Sequence, residues 1–175
     1  RSLRLRDLRR QIAIVLQEVF LFSGTIADNI RLGDDHIDDD QIAMALKMAY
    51  ADTFINALSD RMKTPVTERG STFSAGQRQL LSFARAIARQ PAVFVLDEAT
   101  ANIDTETEQH IQQSIARVTS QCTTIIIAHR LSTIRYCDMI IVLDHGRLVE
   151  IGSHETLLAQ KGRYAALYQA QFGHD

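Results

Sequence analysis

The chain predicts an α/β fold built on a mostly parallel sheet, and three observations predict it. Four short apolar runs, Ile12 to Leu16, Val93 to Leu96, Thr124 to Ala128 and Met139 to Leu143, are rich in β-branched residues and almost free of polar ones, as in strands buried on both faces. Helical patterns lie between them: Gln77 to Arg89 carries Leu80, Leu81, Ala84, Ile87 and Ala88 on one side, and Thr105 to Val118 carries Ile111, Ile115 and Val118. Such alternation means parallel strands with helical crossovers. At 175 residues and 46% apolar, the chain can fill one ordinary domain with a sizeable core.

The elements follow in order. Arg1, Arg4, Arg6, Arg9 and Arg10 are interleaved with Leu3, Leu5 and Leu8, as on an amphipathic helix or turn leading into the first strand. This cluster reads as a solvated face or a membrane-domain contact rather than a polyanion patch. From Asp38 to Leu58 the spacing of Ile42, Ala45, Leu46, Ala49, Phe54, Ile55 and Leu58 is helical throughout, which predicts an all-helical insertion. The acidic run Asp34 to Asp40 before it serves as an N-cap and first turn, where carboxylates meet the positive end of the helix dipole, rather than as a cation site. Asp144-His145-Gly146-Arg147 reads as a hairpin turn before Leu148 to Ile151. In the tail, Ser153 caps one helical segment and Gly162 separates it from another, Arg163 to Phe172.

Composition narrows the function classes. A net charge of −2, with charged residues at 23%, argues against nucleic-acid binding by bulk electrostatics and against an acidic disordered tail. Cys122 and Cys137 form no CxxC and are expected to be buried, reduced thiols, which favours a reducing, cytosolic compartment. The apolar runs are far shorter than a membrane span. No signal peptide is recognisable, and a start at Arg1 within a basic stretch leads to the expectation that a further portion lies upstream.

Chemistry concentrates between Phe73 and Asp104. Ser74 to Gln77 fits S-x-x-[EQ], so Ser74 can cap a helix while Gln77 reaches back. That leaves the N–H groups of Ala75 and Gly76 near the helix mouth, where small side chains let a phosphate approach the donors and the dipole. Further on, Val93 to Leu96 delivers Asp97 and Glu98 to the carboxyl end of a strand, where ligands sit in open α/β sheets. One carboxylate there can hold Mg²⁺ while the other polarises a water attacking a γ-phosphate. No G-x-x-x-x-G-K-[ST] run stands anywhere in the chain. The residues therefore read as part of a nucleotide-hydrolysing domain, and the chain by itself is expected not to hydrolyse ATP.

Thr72 to Gln79, the helix ending before Pro91, and Val93 to Asp104 resemble the signature motif, Walker B motif and D-loop of ATP-binding cassette (ABC) ATPases, and the likeness covers essentially the whole chain. It implies a P-loop NTPase-like (RecA-like), mostly parallel sheet with an inserted all-helical signature subdomain, lacking here the N-terminal strands and the P-loop. The implied division is 1–33 for the Q-loop region, 34–90 for the signature subdomain and 91–175 for the Walker B, D-loop and H-loop part. Gln17 matches the Q-loop glutamine, which links the Mg²⁺ site to the transmembrane partner. Asp97 is implied as the other Mg²⁺ residue and Glu98 as the catalytic carboxylate. His129, followed by Arg130-Leu131-Ser132-Thr133, matches the switch histidine of the γ-phosphate. Ser74, Ala75, Gly76 and Gln77 are implied to meet ATP held by a second cassette, and Asp104 to act across the dimer interface. ATP and Mg²⁺ are the implied ligands.

Glu18 to Ile26, rich in aromatic residues, resembles the exporter form of the Q-loop, and Thr64 to Gly70, with Glu68-Arg69-Gly70 at its centre, resembles the X-loop of ABC exporters. The resemblance thus implies a transmembrane partner met through Gln17 to Thr25 and Glu68-Arg69-Gly70, a second ABC domain in a homo- or heterodimer, and a place on the cytoplasmic face of the cell (inner) membrane. Pro65, Thr67, Phe73, Ala75 and Ala101 depart from the commonest family residues without removing a catalytic group, which suggests one half of a heterodimeric exporter. A soluble ABC-type ATPase acting on nucleic acid or ribosomes and a non-catalytic dimerisation module are the alternatives. Against the first, the step from Gln17 to Ser74 leaves no room for a long coiled coil.

Overall fold

Three runs of β-branched residues pair in register as parallel neighbours: β1 (Ile12–Val15), β4 (Val93–Asp97) and β5 (Thr123–Ile127), in the order β1-β4-β5, with Ile14 beside Val95 and Val95 beside Ile125. This computed structural model describes residues 4–67, 70–97, 103–128, 134 and 137–172. Glu98, His129 and the pair Glu68-Arg69, singled out by the sequence, lie outside them. The chain divides into two units, Arg1–Ile127 and Ala128–Asp175.

In the first unit, α1 (Leu5–Gln11) leads directly into β1 and buries none of its residues. Of the basic cluster, Arg4, Arg6, Arg9 and Arg10 are all exposed. After β1 come β2 (Gly24–Thr25), α2 (Ile26–Arg31), α3 (Asp39–Met48), α4 (Asp52–Asn56), a 3-10 turn at Arg61–Lys63 and β3 (Pro65–Val66). Then α5 (Ala75–Ile87) runs to β4, and α6 (Thr105–Thr119) joins β4 to β5. Local chemistry explains the helix starts. Asp38 accepts from the Gln41 N–H at 2.8 Å while Gln41 Oε1 accepts from the Asp38 N–H at 3.0 Å, a reciprocal cap. The acidic run is therefore a helix start, and among the described residues no group of three metal-ligating side chains occurs.

The core forms where the apolar stripes of α3, α5 and α6 meet one face of the sheet. Leu80, Leu81, Ala84 and Ile87 of α5, Ile111, Ile115 and Val118 of α6, and Ala13, Val15, Phe94 and Leu96 of the strands are all buried. Phe83 and Phe94 stack at 6.1 Å between ring centroids. The opposite face departs from the expectation of strands buried on both sides. Ile14 is 58% exposed, and Ile125 and Ile127 are 53% exposed. Within this unit helices cover only one side, so alternate residues of uniformly apolar strands meet solvent.

One pairing has no clear sequence signal. β2 and β3 form a two-residue antiparallel ribbon, with Gly24 opposite Val66 and Thr25 opposite Pro65, extended by the Ile26 N–H donating to the Thr64 carbonyl at 3.2 Å. The second unit holds β6 (Ile140–Asp144) and β7 (Arg147–Gly152), an antiparallel hairpin, then α7 (His154–Gln160) and α8 (Arg163–Phe172). His145 and Gly146 both have positive φ, 48° and 74°, as a tight primed turn requires. Ser153 caps α7 through the Thr156 N–H, and the Glu150 carboxylate accepts from the N–H groups of Arg163 and Tyr164 at the start of α8. Cys122 and Cys137 are free thiols, half-buried rather than fully enclosed. Among the described residues no helix is long and apolar enough to cross a membrane.

Candidate functional site

The mouth of α5 is built as its sequence predicts. Ser74 Oγ accepts from the Gln77 N–H at 3.1 Å, and the Ser74 N–H donates to Gln77 Oε1 at 3.0 Å. Ser74 and Ala75 are exposed while Gly76 is buried, so the helix opens to solvent at its cap and first residue. Arg78 adds a bond from its guanidinium to the Phe73 carbonyl at 2.5 Å, tying the approach segment to the first turn.

Asp97 ends β4, half-exposed, on the same strand face as Val93 and Val95. Gln17 lies just beyond β1, exposed. Because β1 and β4 are parallel neighbours with Val15 beside Leu96, both residues leave the sheet at its carboxyl end. One carboxylate and one amide oxygen are hard donors that suit Mg²⁺, which usually takes one or two protein oxygens with water and phosphate. Asp104 caps α6, its Oδ1 accepting from the Thr107 N–H at 2.9 Å.

Two residues that sequence reasoning passed over organise the segment after Gln17. Asn29, only 1% exposed, accepts from the Phe22 N–H at 2.8 Å and donates through its amide to the carbonyls of Phe22 at 2.8 Å and Thr25 at 3.0 Å. Arg85, from α5, clasps the same region. Its Nε donates to the Asn29 carbonyl at 2.9 Å, one terminal nitrogen to Asn29 Oδ1 at 3.0 Å and the other to the Phe20 carbonyl at 2.9 Å. Burial, with Arg89 nearby, pulls the Arg85 guanidinium down to about 10, so it stays charged at neutral pH. Among the described residues no carboxylate pairs with it. The clasp presents Phe20 and Phe22, packed edge to face at 4.9 Å and both exposed. A signal existed for each: Asn29 falls between Ile26 and Ile30 on an apolar stripe, and Arg85 stands four residues after Leu81 and three before Ala88.

Among the described residues, the ends of the two segments expected to meet a transmembrane partner are neighbours. The β2–β3 ribbon joins them, and Gly70, with φ of +62°, lies so close to the buried Leu21 side chain that a Cβ would stand 2.6 Å from Leu21 Cδ1. Any other residue at 70 meets both backbone strain and overlap.

The helix caps carry a pH dependence. The Thr25 hydroxyl first, then its N–H, holds the Asp28 carboxyl below its ordinary value, and the Thr107 N–H first, then its hydroxyl, does so for Asp104. A carboxyl lowered by folding stabilises above its unfolded value, here 3.8, and loses that contribution as pH falls through the folded one. Asp104→Asn keeps a capping side chain but no charge. The melting temperature of the parent should therefore fall more steeply than that of Asp104→Asn below about pH 4.

The family model described as ABC transporter matches residues 2–101, and the chain belongs to that family. It is 54% identical over 172 residues, 98% of this chain and 28% of the relative, to the uncharacterized ABC transporter ATP-binding protein YknV of Bacillus subtilis (strain 168). It is 48% identical over 171 residues, 98% of this chain and 29% of the relative, to an ATP-dependent lipid A-core flippase of Saccharophagus degradans. Among solved structures, a bacterial Atm1-family ABC exporter with ATP bound is 42% identical and superposes with a TM-score of 0.86 over 95% of this chain and 29% of that one. The fold is the mixed α/β, P-loop NTPase type of ABC ATPases with a parallel sheet. The chain spans about three tenths of the length of the curated relatives it matches.

Proposed function

We propose that this chain is the greater part of the ATP-hydrolysing cassette of an exporter, driving substrate across a membrane from its cytoplasmic face. The observation that carries this reading is the capped, solvent-facing mouth of α5 at Ser74 to Gln77, built on the same unit as the Asp97 and Gln17 strand ends. Two cassettes would close on ATP, each offering its mouth to the nucleotide held by the other, so that triphosphate binding supplies the differential affinity for the closed state. Asp97 and Gln17 would hold Mg²⁺, which when bound neutralises phosphate charge. Glu98 would orient and polarise the attacking water, His129 would contact the γ-phosphate, and Asp104 would act across the dimer interface.

The transmembrane partner would be met by Gln17 to Thr25 and Glu68-Arg69-Gly70. In this scheme 1–33 is the Q-loop region, 34–90 the helical signature subdomain and 91–175 the Walker B, D-loop and H-loop part. The departures at Pro65, Thr67, Phe73, Ala75 and Ala101 favour a heterodimer.

The test is Ala75→Glu in the full-length protein reconstituted in vesicles. Position 75 is exposed in the first helical turn, where a carboxylate favours the helix, so the fold is kept. Its charge meets the incoming phosphate, and like charges at about 4 Å cost about 1 kcal/mol even in bulk water. Half-saturating ATP for turnover should rise roughly fivefold or more. An unchanged ATP dependence would overturn the role of the mouth.

A further inference from the structure

Gly76 is buried one residue inside the mouth, and α6 is what buries it. A Cβ built at Gly76 would overlap the Thr107 methyl group and stand 3.1 Å from both Thr107 Cβ and Ile103 Cγ2, inside the usual carbon–carbon separation of about 3.5–4.0 Å. Neither helix can easily give way. α5 is fixed by Leu80, Leu81, Phe83 and Ala84, and α6 by Ile111, Ile115 and Val118, all buried. The absence of a side chain at 76 therefore has a cause inside this unit, apart from any phosphate at the mouth.

Thr107 has a second attachment. Its N–H donates to Asp104 Oδ1 at 2.9 Å, and its hydroxyl, like that N–H, favours the charged carboxylate of Asp104. One face of a single threonine thus abuts the mouth of α5, and its polar groups hold the cap of α6.

We propose that Thr107 is a positioning residue that sets the spacing between the Ser74 to Gln77 mouth and Asp104, so that both are presented to a partner cassette as one unit. This rests on the reading that mouth and aspartate act across a dimer interface. Gly76 then answers to two neighbours at once, the incoming phosphate on one side and Thr107 on the other. A thrust on either element is passed to the other through contact rather than through the intervening chain.

The test is a pair of substitutions in the full-length protein. Gly76→Ala should raise half-saturating ATP about tenfold, because the mouth is pushed off its seat on α6. Adding Thr107→Ser removes the obstructing methyl and keeps the hydroxyl. The double variant should recover to within about threefold of the parent. Spin labels at the exposed positions 75 and 105 supply a readout independent of turnover: their separation should widen in Gly76→Ala and return in the double variant. If Gly76→Ala folds poorly, recovery of folded protein by Thr107→Ser supports the same contact. A double variant as impaired as Gly76→Ala, with unrestored label separation, overturns the proposal and leaves the phosphate-binding mouth standing. Failure of the mouth itself is reported separately by Ala75→Glu.

Discussion

Glu98→Gln is expected to slow ATP turnover by about 10²- to 10⁴-fold, the range a positioned general base supplies, while ATP-dependent closure of two cassettes persists. The substitution keeps the size and shape of the side chain and removes its ability to polarise a water. In the proposed scheme closure would draw on other groups, the donors at Ser74 to Gln77 and the oxygens of Asp97 and Gln17, which the substitution leaves untouched. Turnover and closure should therefore part company. Steady-state phosphate release measures the first, and ATP-dependent crosslinking of single cysteines placed across the two cassettes measures the second. Brisk release in Glu98→Gln would remove Glu98 from the proposed role. Loss of closure along with turnover would instead place the residue in nucleotide binding.

Arg85→Ala is expected to destabilise the first unit by about 2–4 kcal/mol, since it strips charged donors from acceptors that unfolded chain would give to water. The carbonyls of Phe20 and Asn29 lose their guanidinium bonds, whereas Asn29 Oδ1 keeps the Phe22 N–H. Arg85→Lys should restore little. A single ammonium cannot reproduce the planar fork that reaches three oxygens at once. The loss should be local as well as global, because the clasp holds Phe20 to Asn29 rather than the sheet. Thermal unfolding gives the stability change, and hydrogen exchange at the Phe22 amide gives the local one. An unchanged exchange rate in Arg85→Ala would show that Asn29 alone holds the segment. On the proposed reading, detachment of Phe20 and Phe22 in the full-length protein should also weaken coupling of ATP turnover to the transmembrane partner.

What could be seen in the sequence was mostly short-range. The caps at Ser74, Asp38 and Ser153 and the turn at His145-Gly146 depend on residues within a few positions of one another, and each forms as its motif implies. The apolar stripes of α3, α5 and α6 were visible for the same reason. Contacts that close over long stretches of chain were not. Arg85 meets Asn29 across 56 positions, and only its place on an apolar stripe hinted that it had a buried partner. The ribbon at Gly24–Thr25 and Pro65–Val66 is too brief for any alternation, and a proline marks an edge or an end as readily as a strand. The strands show a different limit. Their uniform apolarity registers two faces, whereas the helices of this unit cover one, leaving Ile14, Ile125 and Ile127 half-exposed. Of the site, Asp97, Gln17 and the mouth of α5 fall where the motifs imply, at strand and helix ends. Local sequence accounts for a small residue at 76 by phosphate access alone, because its packing against Thr107 depends on how α5 meets α6.

The clasp around Asn29 contains no group that titrates in acid. Arg85 keeps its proton, and the oxygens it binds belong to carbonyls and an amide. The starts of α2 and α6, by contrast, rest on Asp28 and Asp104. As pH falls below the ordinary carboxylate range, the helix starts should therefore loosen first, while the segment carrying Phe20 and Phe22 stays seated on α5. Acid would thus act unevenly within this unit, on the carboxylate-held starts of α2 and α6 before the Arg85 clasp.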